Sequence, residues 1–429
     1  MLQPTVEGTL MCSVDSADVR PFWGRVIASS VMSAALIYAA MVLAVFGFMR
    51  QVGYPVTVEM IGWPPNWSEI NQAKSRYFLQ NAQNAYEKGE LSETVMSLSL
   101  AYEYDIYNYD AGFFLAKLWQ ASRPEVSNHL YQELIANHPD FRTQTAEAWL
   151  RSLLPRADYA WIEKLAPNAL RFGDNNTPAW LNALLFSNQR TQDDSVIQSL
   201  LETPDSLAPG VETVLRWEQT VRDLAPEEAR TNLLQPPPAY SPEFVYYFQI
   251  RRLISLGFPV DAIDLLGSSN NPLNDRDRIT LELRALSKAG FRRSYQNLFN
   301  RILRLSPSLA QLDILTSHLA SNPDPELYRR AKVALHPQSL TTSNQRLPAS
   351  LAIFCVAGVH GDIEYQNKLA MQIRELTQSK FVVLDAAIAA MALPDLERAA
   401  IRNLLPSLQP LSLDITYALL EHFDPVEAQ

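Results

Sequence analysis

The sequence predicts an all-α protein in which one N-terminal transmembrane helix precedes an α-solenoid of antiparallel helix pairs. Three observations lead there. Residues Val26 to Met49 carry no charge. Beyond Asn66, apolar residues recur at helical spacing in blocks of roughly 11 to 15 residues, separated by short clusters of Pro, Asn, Asp or Ser. The 429 residues include 28 prolines but only 14 glycines, and that scarcity of Gly disfavours sandwiches, barrels and phosphate-cradling loops.

Residues 1–25 read as an N-terminal tail and 26–49 as the transmembrane helix. At ~1.5 Å per residue the run crosses a ~30 Å hydrocarbon core with some tilt. It is longer than the apolar region of a cleaved signal peptide and ends on Phe46, Gly47, Phe48 and Met49 rather than on a small-residue cleavage site. Leu10-Met11-Cys12 resembles a lipobox only in passing, since nothing hydrophobic precedes it. Arg20 and Arg25 precede the span, Arg50 follows it, and the next cation is Lys74. This bias places the N-terminus in the cytoplasm and exports the helical domain to the periplasm or cell exterior. Cys12 and Cys355 then lie in different compartments and form no bridge within one chain. Phe22 and Trp23 on one side, and Tyr54, Trp63 and Trp67 on the other, suit the two membrane interfaces. Small residues four apart, Ser29 with Ser33, Ser30 with Ala34 and Ala35 with Ala39, would let two such helices approach closely, so a homo-oligomer formed through the anchor is one expectation.

Residues 50–70 read as a juxtamembrane linker, 71–235 as an N-terminal helical-repeat region and 236–429 as a C-terminal one, divided at Pro236-Pro237-Pro238. Further joints are expected at 268–275 and 336–348. Helices are predicted over Gln72–Lys88 and Leu91–Tyr104 with Gly89 at the turn between them. Gly257 and Gly290 stand 33 residues apart, each closing an apolar-periodic helix, and Gly361 opens another turn before a helix over Ile363–Leu376.

Counted from Ser75, Gly89, Leu98 and Ala101 are similar to the tetratricopeptide repeat, a helix-turn-helix unit of about 34 residues. Thr94 and Ile106 stand where that pattern has a small residue and proline. Ala262 and Leu266 follow Gly257, and Phe299, Ile302 and Pro307 follow Gly290, in the same sense. The stretch 141–234 departs from the pattern while remaining helical. A lone hairpin cannot bury its apolar face, so the resemblance implies stacked hairpins with a concave inner wall.

A formal charge of -10 leaves no dominant basic face for phosphate, so nucleic acid is not an expected partner. The six histidines, His129, His138, His318, His336, His360 and His422, include no pair three or four residues apart, so no helical metal motif is present and no metal or cofactor is expected. His360-Gly361-Asp362 and Cys355 lack an accompanying nucleophile motif, and no P-loop, dinucleotide fingerprint or Gly-x-Ser-x-Gly elbow occurs. Asp193-Asp194 and Glu227-Glu228 sit at expected helix starts, where they complement the dipole. The aromatic run Tyr102, Tyr104, Tyr107, Tyr109, Phe113, Phe114 and Trp119 reads as core.

One constellation points to binding. Arg251 and Arg284 each lie six residues before a turn glycine, hence at equivalent places on successive first helices, which the resemblance directs into the groove. Arg252 is adjacent, Lys288 lies one turn beyond Arg284, and Tyr247 one turn before Arg251. Aligned cations can clamp a carboxylate or an acidic peptide, or can pair with Asp261, Asp264, Asp275 or Glu282. The expected function is a membrane-anchored scaffold, not an enzyme, whose groove binds another protein or peptide, within an envelope assembly. The alternative is a helical cell-wall-acting enzyme or accessory with an acid/base carboxylate pair.

Overall fold

A computed structural model describes residues 2–4, 8, 10–12, 23–173, 176–268, 271–340, 342–393 and 400–423. Arg20 and Phe22, expected at the inner membrane boundary, lie outside the described residues. The described chain is helical apart from one short antiparallel pair, β1 (Leu2–Pro4) and β2 (Leu10–Cys12), in register Leu2 to Cys12. It divides into two units, Met1–Leu118 and Trp119–Gln429.

In the first unit, α1 (Trp23–Val52) contains the expected apolar run and exceeds it at both ends. It is long and apolar enough to cross a membrane. The expected linker 50–70 is largely helical instead. The α1 helix ends only at Gly53 (φ 103°), α2 (Val58–Gly62) follows with Thr57 as its cap, and α3 (Trp67–Glu87) begins ahead of residue 71. Five residues are too few for periodicity to reveal α2. The pair α3 and α4 (Leu91–Tyr104) packs as a hairpin over Ala73, Ala82, Ala85, Leu98 and Ala101, with α5 (Tyr109–Trp119) next in the chain. Much of the aromatic run is packed, with Phe78 stacked on Tyr104 and Tyr109 on Phe113, although Tyr107 stands exposed.

The second unit continues with α6 (Pro124–Asn137), α7 (Arg142–Leu153), α8 (Tyr159–Phe172), α9 (Thr177–Thr191), α10 (Ser195–Leu201), α11 (Val211–Asp223) and α12 (Pro226–Leu233). Then come α13 (Glu243–Ser255), α14 (Pro259–Leu266), α15 (Asp275–Lys288), α16 (Arg292–Leu303), α17 (Leu309–Ser321) and α18 (Pro325–Ala334). The chain closes with α19 (Ser343–Val359), α20 (Ile363–Thr377), α21 (Val383–Met391), α22 (Ala400–Leu404) and α23 (Leu413–Phe423). Neighbours in sequence pack as pairs, as in α8 with α9, α13 with α14 and α19 with α20.

The turns share one geometry. Gly89, Gly257, Gly290 and Gly361 all have positive φ, between 68° and 91°. In each, the following N–H donates to the carbonyl five residues back: Glu90 to Ala85 (2.9 Å), Phe258 to Leu253 (2.9 Å), Phe291 to Leu286 (3.1 Å) and Asp362 to Ala357 (2.9 Å). That bond is the six-to-one link of a Schellman helix end, which glycine adopts without steric cost. Successive hairpins are then tied at a near-constant sequence offset. Arg252 donates to Glu218 at 2.8 Å, 34 residues away, Arg292 to Glu326 at 2.9 Å, also 34 away, and Tyr328 to Asp362 at 2.9 Å, again 34 away. A recurring offset of this kind is what stacking of repeats produces.

The triple proline lies inside one continuous core, not at the edge of a subdomain. Val221, Ala229 and Leu233 before it cluster with Ile250, Leu253 and Ala262 after it. Buried Gln249 donates to the carbonyls of Leu233 (2.5 Å) and Gln235 (3.1 Å), satisfying backbone acceptors that the prolines strand. Gln311 does the same at the end of α16, donating to Ile302 O at 2.6 Å. The joint expected over 336–348 ends earlier, because Pro348 lies within α19.

Several helices carry long buried runs: Ala183 to Asn188 in α9, Ile314 to Ala320 in α17, Ala349 to Gly358 in α19 and Ile415 to Leu420 in α23. The α23 helix packs on α17 and α19, and its Tyr417 ring meets Phe186 of α9 edge-on at 4.8 Å. The C-terminal helix therefore supplies one wall of the concave surface inside this unit.

Candidate ligand groove

Helices α9, α13, α15 and α23 converge on two adjoining cavities that share Arg251. The first, ≈ 670 Å³, is walled by Leu181, Leu185, Phe244, Tyr247, Phe248 and Tyr417, with Glu243, Asp277 and Asp414 among its polar lining. The second, ≈ 480 Å³, is lined by Arg251, Arg252, Arg284, Lys288, Gln189, Asn322 and Glu421 over an apolar floor that includes Phe186 and Ile254. The five residues singled out by sequence are thus brought together, four in the second cavity and Tyr247 beside Arg251 in the first.

Their electrostatic situations differ. Arg251 donates to Asn182 Oδ1 and lies 3.7 Å from Glu421. Burial opposes its charge, but Tyr247, Glu421, Tyr417 and Asp414 outweigh that and hold its pKa above the usual arginine value. Arg252 donates at 2.8 Å to Glu218, a buried carboxylate that also lies 3.6 Å from Arg222. Burial is the main influence lowering the Arg252 pKa, with Glu218 opposing it. Both arginines are therefore engaged by the fold. Neither takes Asp261, Asp264, Asp275 or Glu282 in an ion pair: Asp261 holds Arg230 through two bonds of 2.7 and 2.9 Å, and Asp275 pairs with Arg278.

Arg284 and Lys288 are not engaged in this way. Among the described residues neither lies within ion-pair distance of a carboxylate, and the buried Arg284 Nε has no hydrogen-bond partner. A buried guanidinium N–H without an acceptor costs free energy that a bound acceptor would recover. Arg284 also bears on His318, whose imidazole is pushed down to about 3 by burial first and by Arg284 second. Neutral His318 lies 2.8 Å from the Tyr295 hydroxyl in the core.

The carboxylates of the first cavity are tied into the scaffold. Glu243 Oε1 accepts from the Asn274 backbone N–H at 2.6 Å, and Asp414 accepts from Arg276 at 2.8 Å. Burial raises the Asp277 pKa, and Glu243 and Asp414 add to that rise. Asp313, next to the same Arg276, is pushed up to about 6, chiefly by burial.

The other sequence candidates have structural duties. Asp362 caps α20 by accepting from Tyr365 N–H at 3.1 Å and receives Lys332 at 2.6 Å, while His360 stacks on Tyr328 at 4.3 Å. Burial pushes the enclosed Cys355 thiol up to about 12, so it is held as thiol. His138 caps the end of α6, and Asp194 stands at the start of α10. Among the described residues no cluster of three or more His, Cys, Asp or Glu is placed to hold a metal ion.

Asn182, Gln189, Tyr417 and Glu421 belong to the groove but were not legible in sequence. Asn182 and Arg251 are 69 residues apart, and no periodic signal links them. Compared with known proteins, the chain matches no family model, no curated protein and no solved structure.

Proposed function

We propose that this protein is a membrane-anchored helical-repeat scaffold whose groove around Arg251 captures an acidic segment of another protein or peptide. One observation carries the reading. In a chain of net charge -10, four cations line one cavity, and two of them, Arg284 and Lys288, have no carboxylate partner among the described residues. Arg251 and Arg252, already held by Glu421 and Glu218, fix the shape of the wall, and Arg284 and Lys288 meet the ligand. Phe186, Phe248 and Tyr247 supply apolar contact, which adds affinity that charge pairs alone do not. The turn glycines and the offset of 34 residues between hairpins support kinship with tetratricopeptide-type repeats.

The α1 helix holds the scaffold at a bilayer, with the N-terminus cytoplasmic and the repeats exported, as two arginines before the span, Arg20 and Arg25, against one after it, Arg50, favour. Tethering raises the groove's effective concentration toward partners in the same membrane. The reading is tested with the full chain in detergent or nanodiscs and a fluorescent peptide rich in Glu and Tyr. Arg284→Gln with Lys288→Gln is expected to weaken binding by about tenfold to a hundredfold, as roughly 1.4 kcal/mol corresponds to each factor of ten. Unchanged affinity in that variant, with helicity intact, would overturn the proposal.

A further inference from the structure

The outward third of α1 is not free to meet lipid on all sides. Val42 is buried and forms a small core with Val56, Ile61 and Ala73, against which Phe46, Met49, Tyr54, Met60 and Ile70 pack. The Tyr38 hydroxyl donates to Gly62 O at 2.8 Å, and a Cβ at Gly62 would lie 3.4 Å from Val42 Cγ1. After the turn at Gly53 the chain therefore doubles back along α1 to the level of Tyr38. At about 1.5 Å per residue that level lies ~18 Å from Arg50 along the helix. The α3 helix then joins this core, with Ala73 in the same cluster as Val42 and Tyr77 against Gly53. Exposed polar residues lie along this returning chain, Glu59, Asn71 and Gln72 among them, and Glu69 is half-buried.

Between Trp23 and Met41, by contrast, α1 stands bare, with every residue exposed except half-buried Val26. At 1.5 Å per residue these 19 residues measure about 28 Å, close to the ~30 Å of a hydrocarbon core, and Arg25, two residues from the Trp23 end, is near enough to that end for its long side chain to carry the charge back to the headgroups. Trp23 marks one end. Trp63 and Trp67, 62% and 55% exposed, mark the other, with Trp67 Nε1 anchored on Ile61 O at 3.1 Å. Rings of this kind favour the membrane-water boundary.

We propose that the bilayer boundary crosses α1 near Met41, at a belt formed by Tyr38, Trp63 and Trp67, so that the membrane span is Trp23–Met41 and residues 42–52 are a stem folded with α2 and α3. This rests on reading α1 as a membrane helix. Placing the boundary at Met49 would carry the exposed Glu59, Asn71 and Gln72 into hydrocarbon, and a charged residue there opposes insertion by more than one apolar side chain favours it. The exposed faces of Met41, Leu43 and Val45 then lie in the headgroup layer, which extends roughly 5 to 7 Å beyond the hydrocarbon on each side. The stem joins the anchor rigidly to the first helical hairpin, leaving no flexible linker between them.

The test uses the full chain in phosphatidylcholine nanodiscs, with Cys12→Ser and a nitroxide introduced in turn at Ser29, Ala35, Val45, Phe48 and Asn71. These are exposed positions, and circular dichroism confirms the fold of each labelled protein. Power saturation compares access to oxygen, which concentrates in hydrocarbon, with access to a water-soluble nickel chelate. Labels at 29 and 35 are expected to be oxygen-rich and nickel-shielded, and labels at 45, 48 and 71 to show several-fold greater nickel access. Nickel shielding at 45 and 48 equal to that at 35 would overturn the boundary while leaving the membrane helix in place. Nickel access at 29 and 35 as well would overturn both.

Discussion

Asp313 shows how far a single group is governed by its surroundings. Its carboxyl is 14% exposed, lies 3.9 Å from Arg276 and has Asp414 nearby. Burial is the largest influence and pushes its pKa up to about 6. The folded value therefore exceeds the ordinary unfolded value of about 3.9. The fold binds the proton more tightly, so stability falls as pH rises from about 4 to about 6, and the penalty is complete above that. Asp313→Asn is expected to be more stable than the parent by about 2 kcal/mol at pH 7, the gain disappearing below about pH 4. Urea unfolding across that range measures it, and a gain independent of pH would show that the charge is not its origin. No sequence pattern marked Asp313, because its environment is built by Arg276, Ser412 and Asp414, distant from it in sequence. Arg284 was legible for the opposite reason: it repeats Arg251 one unit later, and period is what a single sequence displays.

At the scale of elements, the helix from Leu91 to Tyr104 has its expected bounds, since Gly89 stops the previous helix and Asp105 follows the last apolar turn. Elsewhere local chemistry misled. Pro348 reads as a joint but lies inside α19, and the triple proline reads as a boundary but is bridged by Gln249 and by a core on both sides. Proline reports the loss of one backbone donor, whereas a domain boundary requires loss of packing, which only tertiary structure reveals. The shared turn offers a direct check. Gly290 has φ 72° and open space where a Cβ would go, so Gly290→Ala meets backbone strain without collision and is expected to cost about 1 kcal/mol. Gly290→Asn, better tolerated in the left-handed region, should cost less. Equal thermal midpoints for Gly, Ala and Asn would contradict the assignment of this turn.

For each unit as a whole, stacked hairpins explain both the helical content and the absence of any local catalytic motif, since function on such a scaffold comes from residues far apart in sequence. The class of fold was legible because helical period and turn glycines are local. The concave wall was legible only on the side supplied by α13 and α15. Asn182 on α9 and Glu421 on α23 complete it, and α23 reaches the groove from the end of the chain. A chain with an acidic surface and a cationic cavity should direct acidic ligands to that cavity alone, because like charge elsewhere repels them.

The central claim is most directly tested by finding where an acidic peptide touches the protein. A Glu- and Tyr-rich peptide bearing a benzophenone, photolysed with the full chain in nanodiscs and mapped by mass spectrometry, is predicted to crosslink to α9, α13 and α15 around Gln189, Arg251 and Lys288. It should cease to do so in Arg284→Gln with Lys288→Gln. Crosslinks distributed over outer helix faces, or retained in the groove by that variant, would contradict the account.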